Sequence, residues 1–199
     1  MRPLMGRSRI EVGLVSENCV VERRIDASRS RSIGGIGLMI GSLLGTLDWG
    51  RIRIVGDSML PALADGQYVL LRRGPTLRTR LRRGDIVVLK HTQGPLQTYV
   101  KRVVGLPNED LRMEDSRVYI DGAGLEEPYV SCPGPPGQVG EWWMGPDEYF
   151  VIGDNRLNSQ DSRVFGPVGI TQIVGCVRVR YWPPRAWGLV AGSGDSMRS

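Results

Sequence analysis

The chain is poor in the residues that most enzyme chemistries rely on. It has one histidine in 199 residues, His91, set in Lys90-His91-Thr92-Gln93-Gly94-Pro95 with no acidic neighbour. Nothing local therefore supports a Ser-His-Asp triad. The three cysteines, Cys19, Cys132 and Cys176, show neither Cys-x-x-Cys nor Cys/His spacing. A zinc site and a redox pair are not suggested, and a Cys132–Cys176 disulfide stays open only for an oxidising compartment. There is no Gly-rich phosphate loop and no internal repeat, and no cofactor or metal is implied. Aromatics are 7% of the chain and are not interleaved with the basic residues. A nucleic-acid surface is thus not indicated, and the net charge of +5 is too modest to argue for one. No long segment carries a 3.6-residue apolar period.

What is present suits one globular unit. Apolar residues make up 41% of the chain and charged residues 24%, enough for a full core at this length but not for an obvious second domain. Residues 1–31 hold seven arginines and end in Ser28-Arg29-Ser30-Arg31, which reads as a flexible basic arm. An uncharged run of fifteen residues, 33–47, follows and is closed by Asp48 and Trp49. It falls short of the ~20 apolar residues that a bilayer core calls for, and five glycines weaken it as a helix. Its flanks, with Arg29 and Arg31 before it and Trp49 after it, are those of an anchor whose N-terminus lies in the cytoplasm. We read 32–50 as a short membrane-spanning or re-entrant anchor, with a Gly-rich linker as the alternative.

From Arg51 onward the punctuation is that of a β protein. Apolar runs at 52–55, 67–71, 85–89, 97–104, 117–120, 148–152 and 173–181 alternate with Gly, Pro and Asp clusters. Asp65-Gly66 and Asp121-Gly122 read as tight turns. The arginine-rich stretch 72–83 reads as a solvated loop that could also meet anionic head groups. Pro and Gly in Cys132-Pro133-Gly134-Pro135-Pro136-Gly137 require a loop. Trp142, Trp143 and Met144 read as core packing, with entry into a membrane interface as the alternative.

Two stretches carry candidate chemistry. In Gly56-Asp57-Ser58-Met59-Leu60-Pro61-Ala62-Leu63, Ser58 stands in a turn between a glycine and a proline. A serine hydroxyl needs a base within hydrogen-bond reach and donors for the oxyanion that its attack creates. The strand Thr98-Tyr99-Val100-Lys101-Arg102-Val103-Val104 offers the base. Alternation puts Lys101 on the face of Tyr99 and Val103 and Arg102 on the face of Val100 and Val104, so one of the two cations can face the core. Burial in an apolar setting favours the neutral, proton-accepting form of a lysine. The plainer reading makes both residues solvated cations on an edge strand. A third stretch, Gly153-Asp154-Asn155-Arg156-Leu157-Asn158-Ser159-Gln160-Asp161-Ser162-Arg163, is too polar for a strand interior and must be a loop whose side chains satisfy one another.

Together with Arg83-Gly84-Asp85-Ile86-Val87-Val88-Leu89, these stretches, in this order, resemble the type I signal peptidases over roughly residues 51–184. The resemblance implies a mainly β fold, a signal-peptidase-like β-barrel or sheet catalytic domain behind a short N-terminal membrane-anchor helix. It implies a Ser58/Lys101 dyad, with Ser159 hydrogen-bonded to the lysine and Asp161 paired with Arg163 as orienting groups. It also implies that Ile54, Val55, Gly56, Met59, Leu63, Tyr99 and Val100 form the substrate pocket, one that admits Ala and rejects large side chains. Departures are Ala62 in place of the usual Thr, Asn108-Glu109 in place of Gly-Asp, and Gly56 where some members place a serine donor to the oxyanion. Asn tolerates the left-handed backbone a glycine would adopt at 108. Only 51 residues separate Lys101 from Gly153, which disfavours a large inserted second β domain. The expected organisation is an arm (1–31), an anchor (32–50), a catalytic domain (51–184) and a flexible tail (185–199).

The expected function is removal of N-terminal signal peptides from secretory precursors after Ala-x-Ala. The protein would sit in the cell membrane as a single-pass protein, with its catalytic domain on the outer face. The partners implied are precursor proteins and the lipid bilayer, not nucleic acid. A narrow propeptide maturation protease of the same family, and a silent or self-cleaving regulator with this fold, are the competing readings.

Overall fold

The computed structural model describes residues 49–74, 81–91 and 97–190. The basic arm and the run 33–47 lie outside them, as do 75–80 in the arginine-rich stretch and 191–199 in the tail. Among the described residues no helix is long and apolar enough to cross a membrane.

The strands in chain order are β1 (Trp49–Arg53), β2 (Tyr68–Arg72), β3 (Ile86–His91), β4 (Gln97–Gly105), β5 (Asp110–Glu114), β6 (Arg117–Ile120), β7 (Ala123–Gly124), β8 (Val139–Trp143), β9 (Glu148–Ile152), β10 (Val168–Gly169), β11 (Ile173–Trp182) and β12 (Gly188–Leu189). One helical turn, α1 (Ser162–Phe165), interrupts them. The fold is mainly β. An eight-stranded sheet runs β1-β2-β11-β3-β4-β9-β10, with β12 paired to β11, and a four-stranded sheet runs β7-β6-β5-β8.

Position in the sheet explains the sequence pattern. The middle strands β3 and β4 are covered on both faces, so Ile86 and Val88 pack in one cluster while Val87 and Leu89 pack in another. Ile86–Leu89 of β3 is accordingly an unbroken apolar run, whereas the edge strand β1 alternates between exposed and buried residues. A third cluster, with Leu111, Met113, Val118, Met144, Phe150 and Ile152, joins the small sheet to β9. Gly105 lies at an irregularity in the β4–β9 ladder, where a Cβ would stand 2.8 Å from Met144 Cε and Phe150 Cβ.

Several expectations need correction. Trp49 and Gly50, assigned to the anchor, begin β1. The assigned tail starts with a 3-10 turn at Pro184–Ala186, and Leu189 then pairs with Val179. Backbone hydrogen bonding along β11 holds that part of the tail in place. Between Lys101 and Gly153 the chain does build a second sheet, though a small one. Trp142 packs against Phe150 at 4.7 Å and Met144 is buried, but Trp143 is 64% exposed. Cys132 and Cys176 are both free, one exposed and the other buried. At Asn108 φ is 64°, the left-handed conformation anticipated for that substitution.

Candidate active site

β1 ends at Arg53, and the chain then turns through Gly56, whose φ of 83° suits glycine. The Gly56 N–H donates to Asp65 Oδ1 at 3.0 Å, and Leu63 N–H donates to Met59 O at 2.8 Å. These bonds fix the loop that carries Ser58, which is buried to 3% exposure. The Ser58 N–H makes no hydrogen bond among the described residues. It is therefore available to an incoming oxygen.

β4 supplies the partner. Lys101 Nζ donates to Ser58 Oγ at 2.7 Å and lies 5.6 Å from the centre of the Tyr99 ring. Neither the edge-strand reading nor the expectation that a single cation faces inward survives, since Lys101 and Arg102 are both buried. The reason is a counter-charge far away in sequence. Arg102 donates from Nε to Asp154 Oδ1 at 2.8 Å, from Nη2 to Asp154 Oδ2 at 2.6 Å, and from Nη1 to Gly84 O at 2.8 Å. A bidentate carboxylate of this kind is what allows a guanidinium to leave water. Burial pushes the Asp154 carboxyl above its usual range despite the opposing pull of Arg102.

The polar loop after β9 closes over Ser58. Asn155 donates its N–H to Ser58 O at 3.1 Å and its side chain to Asp57 O at 3.3 Å. Gly153 leaves no room for a side chain, because a Cβ there would overlap Ser159 Oγ and stand 2.6 Å from the Ser58 carbonyl oxygen. Asp161 caps α1 through Arg163 N–H and pairs with the Arg163 guanidinium, from Nε to Oδ1 at 2.8 Å and from Nη2 to Oδ2 at 2.9 Å. Burial alone would raise the Asp161 carboxyl, but Arg163 and the Gly153 N–H outweigh it and hold the group below the usual carboxylate range. Ser159 does not make the lysine bond that the resemblance implies. Its Oγ is buried against Gly153, on the side of Asp161, whose carboxyl it helps to hold low.

Of the residues assigned to a substrate pocket, Ile54, Met59, Leu63 and Val100 belong to one core cluster and expose no surface. Tyr99 is 4% exposed on another cluster, and Val55 and Gly56 are half-buried. The first four back the serine loop from beneath, and only the last two offer appreciable surface. His91 ends β3 opposite Gln97, four ladder pairs from the Val87–Lys101 pair, which is about 13 Å along the strand. Among the described residues no three His, Cys, Asp or Glu side chains converge on a possible ion site.

Residues outside the assigned set complete the surroundings. Glu127 Oε1 accepts from Arg156 Nη2 at 2.5 Å and from the Tyr129 hydroxyl at 2.8 Å. The Tyr129 ring covers the Arg102 guanidinium at 4.1 Å. The segment Gly124-Leu125-Glu126-Glu127-Pro128-Tyr129 resembles a recurrent piece of the bacterial signal peptidases that follows the lysine strand, but nothing in it points to partners at 102 and 156. A cleft of about 710 Å³ opens beside the small sheet, where Ser116, Arg117, Tyr119, Leu125 and Glu127 are among the residues lining it.

Comparison with known proteins agrees with the sequence motifs. Residues 30–182 match the family described as signal peptidase, peptidase S26. Over 174 residues the chain is 34% identical to signal peptidase I of Leptolyngbya laminosa, covering 83% of this chain and 85% of that protein. It is 35% identical over 140 residues to signal peptidase I T of Bacillus subtilis (strain 168), with 65% and 72% covered. A solved signal peptidase I from Enterococcus faecalis V583 is 29% identical and has a TM-score of 0.44, covering 49% of this chain and 96% of that one.

Proposed function

Because the chain belongs to the signal peptidase family and is a serine-type endopeptidase, we propose that it removes N-terminal signal peptides from secretory precursors through a Ser58/Lys101 dyad. The observation that carries this reading is the 2.7 Å approach of Lys101 Nζ to Ser58 Oγ in a buried site.

Lys101 in its neutral form accepts the Ser58 proton as Ser58 Oγ attacks the scissile carbonyl carbon. The Ser58 N–H donates to the oxyanion that forms. The tetrahedral intermediate collapses, the bond to the mature chain breaks, and the Lys101 ammonium returns its proton to the departing amine. Water then attacks the acyl ester as Lys101 takes its proton, the bond to Ser58 Oγ breaks as Lys101 returns that proton to it, and the signal peptide leaves with a new carboxyl group that ionises to solvent.

Specificity for Ala-x-Ala would arise where Val55 and Gly56 meet the substrate, over the packed floor of Ile54, Met59, Leu63, Tyr99 and Val100. A shallow, stiff floor rejects large side chains by sterics. Asp161 and Arg163 act in this reading by holding the loop against Ser58, and Ser159 by filling the space above Gly153. The run 33–47 would anchor the catalytic domain, whose first strand starts at Trp49, on the outer face of the cell membrane, with the arm 1–31 in the cytoplasm. The bilayer would then be a partner alongside the precursors.

The test is cleavage of a precursor carrying an Ala-x-Ala site by detergent-solubilised wild type, with Ser58→Ala and Lys101→Met run beside it. Cleavage after the second Ala, lost by roughly 10⁴-fold or more in both folded variants, is the expected result. A folded wild type that leaves this precursor intact would point instead to a narrow maturation protease or a silent module.

A further inference from the structure

We propose that Glu127 is a positioning residue for the Ser58–Lys101 pair, an inference that rests on the dyad reading above. The starting point is a closed circuit of contacts. Ser58 O accepts the N–H of Asn155 at 3.1 Å. The next residue, Arg156, donates to Glu127 Oε1 at 2.5 Å, and the same oxygen accepts the Tyr129 hydroxyl at 2.8 Å. The Tyr129 ring lies 4.1 Å from the Arg102 guanidinium, and Arg102 adjoins Lys101, whose Nζ reaches Ser58 Oγ at 2.7 Å. One carboxylate oxygen therefore joins the side of the circuit that holds the serine to the side that holds the lysine.

The Arg102–Asp154 bridge already ties β4 to the start of the loop. It does not hold Arg156. The Arg156 guanidinium is 1% exposed and spends its other arms on two carbonyls, Gly153 O at 3.2 Å and Ser116 O at 3.2 Å. Glu127 supplies its carboxylate, and with it the four charges Arg102, Arg156, Asp154 and Glu127 sum to zero in a buried volume. Without that carboxylate a buried guanidinium must move toward water or draw another acceptor, and a bonded group such as Gly153 O moves with it. Gly153 touches the Ser58 carbonyl side of the turn, so the displacement reaches Ser58. Reaction rates respond steeply to such misplacement, because a nucleophile and base must meet within hydrogen-bond reach.

The experiment is single-turnover cleavage of the Ala-x-Ala precursor with enzyme in excess, comparing wild type, Glu127→Gln and Tyr129→Phe. The limiting rate constant at saturating enzyme belongs to folded, active molecules, whereas a loss of folded molecules shifts only the enzyme concentration at half-saturation. A limiting rate constant at least fivefold lower in Glu127→Gln, with a smaller loss in Tyr129→Phe, is expected. An unchanged limiting rate constant in Glu127→Gln overturns the proposal, whatever happens to its melting temperature. If Glu127→Gln does not fold, Tyr129→Phe decides, since it keeps all four charges and the ring, and an unchanged limiting rate there overturns the proposal as well. Failure of wild type to cut the precursor would count against the dyad reading itself and is scored separately by the Ser58→Ala control.

Discussion

The carbonyl of Ser58 accepts a backbone hydrogen bond from Asn155, 97 residues further along the chain, at 3.1 Å. That bond makes the turn bearing the proposed nucleophile and the polar loop after β9 one rigid piece. The serine is thus held from behind by main chain, and its side chain is left to meet Lys101.

The closeness of those two segments makes Gly153 intolerant of any side chain. Gly153→Ala forces a methyl group into Ser159 and to 2.6 Å from the Ser58 carbonyl oxygen. We expect a loss of about 1–3 kcal/mol of stability, as for other overpacked cores. It would appear as a fall of several degrees in the thermal midpoint, accompanied by loss of cleavage.

Asp161 ties stability to pH. Its carboxyl is held below the usual range in the folded protein, so its contribution is complete above the unfolded value of about 3.9 and is lost as pH falls through the lower folded value. Asp161→Asn should cost roughly 3 kcal/mol near neutral pH, because it leaves the Arg163 guanidinium, 5% exposed, without its carboxylate. The gap between the melting temperatures of wild type and variant should narrow as pH drops below about 4. A gap that stays constant across that range would count against the ion pair as its source.

At Asn108 the backbone is left-handed, with φ of 64°. Asn108→Gly should leave the denaturant midpoint nearly unchanged or raise it slightly, whereas Asn108→Val should cost about 1–2 kcal/mol.

The two described cysteines should differ sharply in reactivity. Cys132 is exposed, whereas burial, with the Asp85 carboxylate beside it, pushes the Cys176 thiol up to about 12. In a Cys19→Ser background, a thiol reagent at pH 8 should label one cysteine quickly. The second should react only in denaturant.

Much of this was legible in the chain because strands in the middle of a sheet write themselves as apolar runs. The runs at 85–89 and 97–104 became β3 and β4, buried on both faces. β5 and β8 were not foreseen: Asp110-Leu111-Arg112-Met113-Glu114 turns a charged side to solvent, and Val139-Gly140-Glu141-Trp142-Trp143 exposes Val139, Glu141 and Trp143 and contains no run of the kind that marks a buried strand. Ser58 and Lys101 were recognisable from their surroundings in sequence. The burial of Arg102 was not, because the residue that permits it, Asp154, lies 52 positions away. Glu127 escaped for the same reason, as its partners belong to two different parts of the chain. Ser159 was expected to bond the lysine from the family pattern alone, yet its hydroxyl is packed against Gly153.

The adjacency of Lys101 and Arg102 on a doubly buried strand also sets a demand on folding. Both residues are cations, both are long, and they point to opposite faces of β4. A pairing slip of one residue would send the lysine toward Asp154 and the arginine toward Ser58, satisfying much of the electrostatics while destroying the proposed dyad. Such a chain would be compact and soluble yet inert. The irregularity at Val103–Gly105 in the β4–β9 ladder breaks the regular repeat beside these two residues and so marks the alignment that the site needs.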